Sequence, residues 1–435
     1  MKLAILGGGG FRVPLVHAAL LTGRGAGVVT ELVLHDVDAG RLAAVATVLA
    51  EQARGAEGAP SVTTTTDLAT ALSDVDFVFS AVRVGGMRGR QFDERVALAE
   101  GVLGQETVGA GGIAYGLRTV PLAVELARRI AELAPGAWVI NFTNPAGMVT
   151  EAMAPVLGGR VIGICDSPAG LCRRVARAIG VAEDGAWFDY AGLNHLGWLR
   201  GVHVGGVDVL PELLASPAVE TFEEGRLFGA EWLRLLGAVP NEYLHYYYSP
   251  REAVAAAGDG TSSRGSVLLA QQREFYASPG LGTWERARAE REATYLAEAR
   301  DEARDPEDLE GGGYERIAIA LMRAIARDER TTLILNVRNG TALSGVDEDA
   351  VVEVPCAVGA FGARPIGAGR LPGHALGLVH AVKSVERSVI EAAATGSADA
   401  AVRAFALHPL VDSVAVARRL LDGYRAAHPQ LSYLH

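Results

Sequence analysis

The sequence predicts an α/β protein: an N-terminal Rossmann-like, doubly wound parallel sheet over residues 1–185, then an α+β domain over residues 186–435. Three observations predict it. Short apolar runs alternate with helix-periodic segments through the first third of the chain. A glycine-rich turn follows the first of those runs. Near residue 186 the alternation stops and hairpin signals begin.

Lys2–Leu6 is a short apolar run and reads as the first buried strand. Val13–Leu21 carries helix periodicity, and Glu31–His35 is the second strand. Segment 38–53 is the next helix. Segments 76–81, 137–141 and 161–165 are three further strands, with helices at 117–133 and 145–157 between them. Parallel strands need crossover connections of this kind. In the second half, 202–204 and 207–209 flank Gly205-Gly206, a two-residue hairpin signal. Segments 224–236, 313–328 and 374–394 are helices, and 332–337 and 351–354 are strands. The run 284–310, rich in Arg, Glu, Asp and Ala, reads as a solvated helix face with loop. There is no internal repeat and no linker.

Composition narrows the class. The 435 residues hold 40 basic and 51 acidic side chains, a formal net charge of −11. That balance, without a basic block, argues against nucleic acid or anionic lipid as the main partner. No apolar run approaches the ~20 residues of a membrane span. The apolar start, 3–6, is too short for a secretion signal. Cys165, Cys172 and Cys356 are too few, and odd in number, for a disulfide framework. The expectation is a soluble cytoplasmic protein with reduced thiols.

Gly7-Gly8-Gly9-Gly10-Phe11-Arg12-Val13-Pro14 joins the first strand to a helix. Glycines let backbone amides approach a pyrophosphate, and a helix N-terminus favours its charge. The third fingerprint glycine is absent, and Arg12 stands there. Asp36, which ends the second strand, is placed to accept from adenine-ribose hydroxyls and to repel a 2′-phosphate, so NAD is favoured over NADP. The plainer alternative is a structural turn with a surface aspartate.

Cys165-Asp166 ends the strand 161–165, before Ser167-Pro168 at the N-cap and first position of a helix. Both then lie at the carboxyl edge of the sheet, where ligands gather and where the helix dipole favours a thiolate. Cys165 also reads as a small buried hydrophobe, and Asp166 as a cap. His195, in Gly192-Leu193-Asn194-His195, reads either as a satisfied core group or, with Cys165, as half of a catalytic metal site with open positions. Asn144, before Pro145, caps a helix or points into the same cleft. Glu106 lies in a flexible polar loop, 104–112, and is suited to orient a base or bind a hydroxyl. Four tyrosines, Tyr243, Tyr246, Tyr247 and Tyr248, crowd six residues. Most such rings pack, but one beside a metal and an arginine can serve as a base.

Taken in order, the glycine loop, Val82-Arg83-Val84-Gly85, the segment 104–117, Asn141-Phe142-Thr143-Asn144-Pro145, Cys165-Asp166, Leu193-Asn194-His195, the tyrosine cluster and Val352-Glu353-Val354-Pro355-Cys356 resemble glycoside hydrolase family 4. The resemblance spans nearly the whole chain. It implies an NAD- and Mn²⁺-dependent 6-phospho-glucosidase, with another divalent metal admissible, assembled as a homodimer or homotetramer. It implies Cys165 and His195 as metal ligands, Asp166 as proton donor, Tyr243 as proton acceptor and Glu106 as the acid raising that tyrosine's basicity. Arg90, Asn144 and Arg264 match substrate-contacting positions. Gly7, Gly8, Gly9, Gly10, Phe11, Arg12 and Asp36 fall where the dinucleotide lies. The implied reaction oxidises C3 of the sugar transiently, removes the C2 proton, eliminates the C1 substituent, adds water back at C1 and then returns the hydride to C3, outside the two-carboxylate scheme of most glycosidases.

This chain departs from the family loop, which commonly reads Gly-Gly-Gly-Ser-Thr/Phe/Tyr-Thr-Pro: here Gly10-Phe11-Arg12-Val13-Pro14 stands instead, and hydroxyls expected near the phosphates are absent. An Asp after the metal Cys is typical of the α-active branch, whereas the short segment from His195 to Tyr243 is typical of the β branch. The reading favours a 6-phospho-β-glucoside, with a 6-phospho-α-glucosidase or a non-phosphorylated α-glycosidase as alternatives. Two rivals lie outside glycosidase chemistry: a malate/lactate-type dehydrogenase and a non-catalytic NAD-binding sensor.

Overall fold

The computed structural model describes residues 1–258, 263–294 and 313–435. Six parallel strands, β1 (Lys2–Leu6), β2 (Glu31–His35), β3 (Ser61–Thr65), β4 (Phe77–Ser80), β5 (Trp138–Asn141) and β6 (Val161–Gly163), lie in the order β3-β2-β1-β4-β5-β6. This is the doubly wound order expected, and its direction reverses between β1 and β4, where a crevice opens at the strands' carboxyl ends. Helices α1 (Val13–Leu21), α2 (Ala39–Gln52), α3 (Leu68–Leu72), α4 (Gly86–Ala99), α5 (Gly109–Leu133), α6 (Ala146–Leu157) and α7 (Ser167–Ala178) connect and cover these strands.

Alternate residues of β1 face opposite layers. Leu3 and Ile5 pack with Val16 and Leu20 of α1, Val45 and Leu49 of α2, and Leu321 of the helix Tyr314–Arg327. Ala4 and Leu6 pack with Leu126 and Ile130 of α5 and with Val149 and Met153 of α6. Burial on both faces explains why the parallel strands read as unbroken apolar runs. The edge strand β3, Ser-Val-Thr-Thr-Thr, is largely exposed and carries no such run, so the sequence does not announce it. Polar α4 is missed for a related reason: charged residues such as Arg90, Asp93 and Glu94 occupy its buried face.

Helix α5 starts at Gly109, not at 117, so the second half of the expected flexible loop is a rigid helical turn. Its glycines allow close packing. A Cβ at Gly111 would lie 2.4 Å from the Gln105 carbonyl oxygen, and one at Gly112 would lie 2.4 Å from the Thr107 carbonyl carbon.

Beyond β6 the same sheet continues antiparallel. β11 (Thr331–Arg338), β12 (Val351–Gly359), β7 (Trp187–Leu193), β8 (Leu196–Val204) and β10 (Val239–Pro240) follow in that order. β9 (Val207–Asp208) and β13 (Gly362–Pro365) add to β8 and β12. The hairpin at Gly205-Gly206 forms as expected, with φ of 58° and 85° at the two glycines. After α8 (Leu210–Ala215), the expected helix 224–236 is two helices, α9 (Glu223–Phe228) and α10 (Ala230–Leu236), broken where Gly229 adopts φ 78°. Then come α11 (His245–Tyr248), α12 (Pro250–Ala257), α13 (Arg264–Ala277) and α14 (Leu281–Ala293). Of the charged run 284–310, residues 295–310 lie outside the described residues. The part within α14 is not a purely solvated face, because Trp284 and Ala287 are buried one turn apart.

Three C-terminal helices, Gly373–Thr395, Ala398–Leu407 and Val414–Ala427, pack against α4 and α5 through Val389, Ala401, Phe405, Leu420 and Tyr424. His408, just beyond the second of them, is buried with its ring 6.0 Å from that of Tyr247. Burial pushes its pKa down to about 4. In the folded protein it stays neutral while the unfolded chain protonates near pH 6.5, so its contribution to stability is present above pH 6.5 and lost as pH falls toward 4. His408→Gln is therefore expected to flatten that part of the stability–pH curve by about 3 kcal/mol at most. Parallel thermal-melt curves for the variant and the parent across pH 6.5 to 4 would disprove this.

Among the described residues, no helix is long and apolar enough to cross a membrane.

Candidate active site

A cavity of about 840 Å³ opens at the carboxyl ends of β1, β4, β5 and β6. Gly7, Gly10, Phe11 and Arg12 form one wall. Gly7 adopts φ 87°, and a Cβ there would lie 2.5 Å from the Ala81 carbonyl oxygen. Gly8 donates to the His35 carbonyl at 2.7 Å. Gly9 donates to Asp36 Oδ2 at 3.1 Å, while Asp36 Oδ1 accepts from the Asp38 N–H at 3.1 Å. Asp36 thus braces the loop, and its carboxylate keeps lone pairs for a further donor. The loop's carbonyls are held from the second half of the chain: Tyr276 Oη donates to Gly9 O at 2.6 Å, Trp284 Nε1 to Phe11 O at 2.8 Å and Tyr314 Oη to Arg12 O at 2.8 Å. The Phe11 ring packs edge-on to Phe275. The Arg12 guanidinium lies over Tyr314 and 3.9 Å from Glu292. The N–H groups of Phe11 and Arg12, at the start of α1, have no acceptor among the described residues. Two free amides at a helix N-terminus, beside a braced carboxylate, fit a dinucleotide pyrophosphate and ribose.

Cys165, Asp166, His195 and Tyr243 line the same cavity. Cys165 is buried beyond the end of β6. Burial, then the charges of Glu353 and Asp166, push its thiol well above the usual range. The N–H of Ser167 acts in the opposite direction, so the helix-dipole expectation is outweighed here by desolvation and two carboxylates. Asp166 occupies the N-cap position of α7 without a side-chain capping bond, so the capping alternative is not realised. Ser167 is therefore the first helical residue, not the cap. Its hydroxyl donates to Glu242 Oε1 at 2.6 Å instead of to its own helix. Burial raises the Glu242 carboxyl, which also lines the cavity, to about 7.

His195 sits in the tight turn between β7 and β8 with φ 60°, a conformation uncommon outside glycine. Its Nδ1 hydrogen-bonds Thr107 Oγ1 at 2.7 Å. Burial lowers its pKa to about 4, so the ring is neutral at physiological pH. The Tyr243 ring lies flat against it, centroids 3.7 Å apart and planes 10° from parallel. The other tyrosines have packing roles: Tyr246 joins Leu103 and Val108, and Tyr248 Oη accepts from Trp198 Nε1 at 2.9 Å.

Glu106 grips two arginines. Its Oε2 accepts from Arg90 Nη1 at 2.6 Å, and its Oε1 pairs with Arg83. Against the cost of burial, those two cations hold its carboxyl well below the usual range. Arg90, buried on α4, also donates from Nε to Glu94 Oε1 at 2.8 Å and lies within electrostatic reach of Tyr243. Asn144 and Arg264 line the cavity as well. Asn144 Oδ1 accepts from Ala146 N at 3.2 Å, but Pro145 holds the N-cap position of α6, so Asn144 lies one residue before the expected cap; its amide nitrogen has no partner among the described residues. Arg264 Nη2 donates to the Arg291 carbonyl at 2.7 Å.

Sequence reasoning misses Thr107, Arg83, Arg291 and Glu242. Arg291, on α14, lines the cavity, and burial with Arg12 and Arg264 nearby lowers its pKa to about 9. A guanidinium so crowded by like charge favours an anionic ligand.

The donor set suits a divalent cation. A thiol and a neutral imidazole face one cavity, and the Thr107 contact leaves the other ring nitrogen of His195 for coordination. Among the described residues no three metal-type side chains converge, so a cation held by Cys165 and His195 would keep open positions.

The model of family 4 glycosyl hydrolases matches residues 2–181, and that of the family 4 glycosyl hydrolase C-terminal domain matches residues 190–411. The chain is 34% identical over 447 residues to a probable 6-phospho-beta-glucosidase of Bacillus subtilis (strain 168), covering 98% of this chain and 96% of that one. It is 32% identical over 440 residues to a 6-phospho-alpha-glucosidase of Leptotrichia buccalis, covering 97% and 96%. The solved structure of the 6-phospho-beta glucosidase from Thermotoga maritima with manganese, NAD⁺ and glucose-6-phosphate superposes with a TM-score of 0.85 at 27% identity, covering 100% of each chain. The chain belongs to glycosyl hydrolase family 4.

Proposed function

We propose that this enzyme hydrolyses 6-phospho-glucosides, β-linked in preference to α-linked, with NAD and a divalent cation, Mn²⁺ first, in the cavity described. Residues 1–185 form the dinucleotide domain, which also brings Arg90, Asn144, Cys165 and Asp166 to the cavity, and 186–435 form the substrate and oligomerisation domain. The observation that carries the reading is the convergence of Cys165, Asp166 and the stacked His195–Tyr243 pair in one cavity whose opposite wall is the glycine loop. The crowded guanidinium groups of Arg12, Arg264 and Arg291 support an anionic substrate.

When bound, NAD supplies a reversible hydride acceptor for C3, and the cation supplies positive charge for the C2 and C3 oxygens. Cys165 and His195 would hold the cation. Tyr243 removes the C2 proton, with Arg90 near enough to stabilise the phenolate. Glu106, clamped between Arg83 and Arg90, fixes that arginine's position. Asp166 delivers a proton to the departing C1 oxygen. Asn144, Arg90 and Arg264 orient the sugar and its phosphate. The three cysteines are free and buried, which supports action in the reducing cytoplasm. Trp232 and Leu235, exposed apolar side chains on α10, support burial against a second copy in a homodimer or homotetramer.

The test is p-nitrophenol release from 6-phosphorylated β- and α-glucosides, with and without NAD⁺ and Mn²⁺, under reducing conditions. Turnover is expected only when both are supplied, and faster on the β-linked substrate. Activity that survives removal of both would overturn the mechanism, and faster α turnover would reverse the anomer. A malate/lactate-type dehydrogenase would release NADH stoichiometrically. A sensor would bind NAD without turnover.

A further inference from the structure

Between the strand that leads to Cys165 and the turn that carries His195, four residues stand in register across the sheet: Gly163 on β6, Asn336 on β11, Glu353 on β12 and Gly192 on β7. Gly163 lies just before Cys165 in the chain, and Gly192 lies just before His195. The row therefore sets the separation of the two candidate ligands. Its side chains are polar in a place that excludes water. Asn336 is 0% and Glu353 1% exposed. Asn336 Nδ2 donates to Glu353 Oε1 at 2.8 Å, and Asn194 Nδ2, from the residue next to His195, donates to the same oxygen at 3.2 Å. Tyr190 Oη donates to Glu353 Oε2 at 3.0 Å. A Cβ at Gly163 would lie 2.8 Å from Asn336 Cβ, so the bare glycine makes room for this strip.

All three donors to Glu353 are neutral. Among the described residues no Lys, Arg or His nitrogen lies within 4 Å of its carboxylate. Elsewhere in this protein buried carboxylates meet cations directly, as Asp93 meets Arg118 and Glu224 meets Arg174. A buried carboxylate without a countercharge is costly, and burial accordingly raises the Glu353 carboxyl to about 7; a cation close by would hold it ionised. Glu353 lies within electrostatic reach of Cys165, so the countercharge that fits is a cation held at Cys165 and His195. The Val352-Glu353-Val354-Pro355-Cys356 segment, which carries part of the family resemblance, thereby gains a physical role.

We propose that Glu353 is a positioning and charge-balancing residue for the divalent-cation site, acting through Asn194 and Asn336 on the two ligand-bearing segments. The inference rests on Cys165 and His195 being the ligands. Such outer carboxylates orient the inner ligands and tune affinity for the metal.

The test is titration of the NAD⁺-saturated enzyme with Mn²⁺, read by the electron paramagnetic resonance of the free aqua ion. Glu353→Gln keeps the shape and removes the charge, and is expected to weaken Mn²⁺ binding about 10- to 100-fold. NAD⁺ affinity should stay within about threefold, since the loop wall lies apart from this strip. Tyr190→Phe removes one hydrogen bond but leaves the charge, and should weaken Mn²⁺ binding less than about threefold. Equal losses in the two variants would mean a structural role only and would overturn the charge argument. Should Glu353→Gln not fold, Asn194→Ala, at a half-buried position, is expected to weaken Mn²⁺ binding at least about fivefold, and unchanged affinity there would overturn the proposal. If the parent binds Mn²⁺ and Cys165→Ser does not, while Glu353→Gln binds normally, this inference alone fails. If the parent binds none, the ligand assignment fails and takes the inference with it.

Discussion

Tyr243→Phe is expected to lower kcat by about 10²- to 10⁴-fold, the usual contribution of a positioned general base, while leaving KM and NAD⁺ affinity nearly unchanged. The separation of effects follows from the geometry. The ring, not the hydroxyl, makes the 3.7 Å stack on His195, so phenylalanine preserves that contact and the orientation of the imidazole. Thr107 still holds His195 Nδ1. The dinucleotide wall is braced by Asp36, Tyr276, Trp284 and Tyr314, none of which touches Tyr243. What is lost is one oxygen near Arg90. A second readout isolates the step: exchange of the C2 hydrogen of a slow substrate with D₂O should fall with kcat. A variant that keeps turnover within about threefold of the parent would place the base elsewhere.

The parallel half of the fold was legible because topology and burial act together there. Strands covered on both faces must be apolar through their centres, and β1, β2 and β5 are, with polar residues only at their ends. The antiparallel half obeys other rules. β7 and β8 pair through a two-residue turn at Asn194-His195, with neither glycine in the turn nor alternation in the strands to mark them, since six of the nine residues of β8 are buried. Helix α4 was hidden because its buried face is charged, and the start of α5 reads as 117 instead of Gly109 because its first turn is mostly glycine used for close approach.

The site divides in the same way. Residues that directly follow parallel strands, such as Gly10, Asn144, Cys165 and Asp166, were legible because the doubly wound order brings every such position to one crevice. Residues that act by meeting a distant partner were not. Thr107 meets His195 across 88 positions, and Glu353 meets Asn194 across 159. Neither carries a local sign of its partner. Glu106 was found, but its arginine partners change its part: clamped by two cations, it fixes Arg90 before it acts on any base.

Asp93→Ala is expected to destabilise the protein by about 3–5 kcal/mol, the range for removing one partner of a buried ion pair. Asp93 on α4 takes both terminal nitrogens of Arg118 on α5, each at 2.7 Å, with the two side chains 2% and 1% exposed. His428 Nε2 lies 2.9 Å from Asp93 Oδ1, and Tyr424 Oη donates to the Asp93 backbone carbonyl at 2.9 Å. One carboxylate therefore joins α4, α5 and the C-terminal helix Val414–Ala427. Its removal leaves a guanidinium with no water and no anion. The exposed pair Arg129–Glu132, 40% and 63% exposed, serves as the comparison, and Glu132→Ala should cost less than about 1 kcal/mol. Replacing both buried partners together, Asp93→Leu with Arg118→Met, should recover much of the loss, because the penalty lies in the orphaned charge and not in the missing attraction. The effect reaches the active site through α4, which carries Asp93 one turn from Arg90 and its contact with Glu106. Asp93→Ala should therefore lose activity on warming before it loses secondary structure, a difference read by comparing residual turnover with far-ultraviolet circular dichroism along one temperature ramp. If Asp93→Ala melted with the parent, the buried pair would not be holding these helices together.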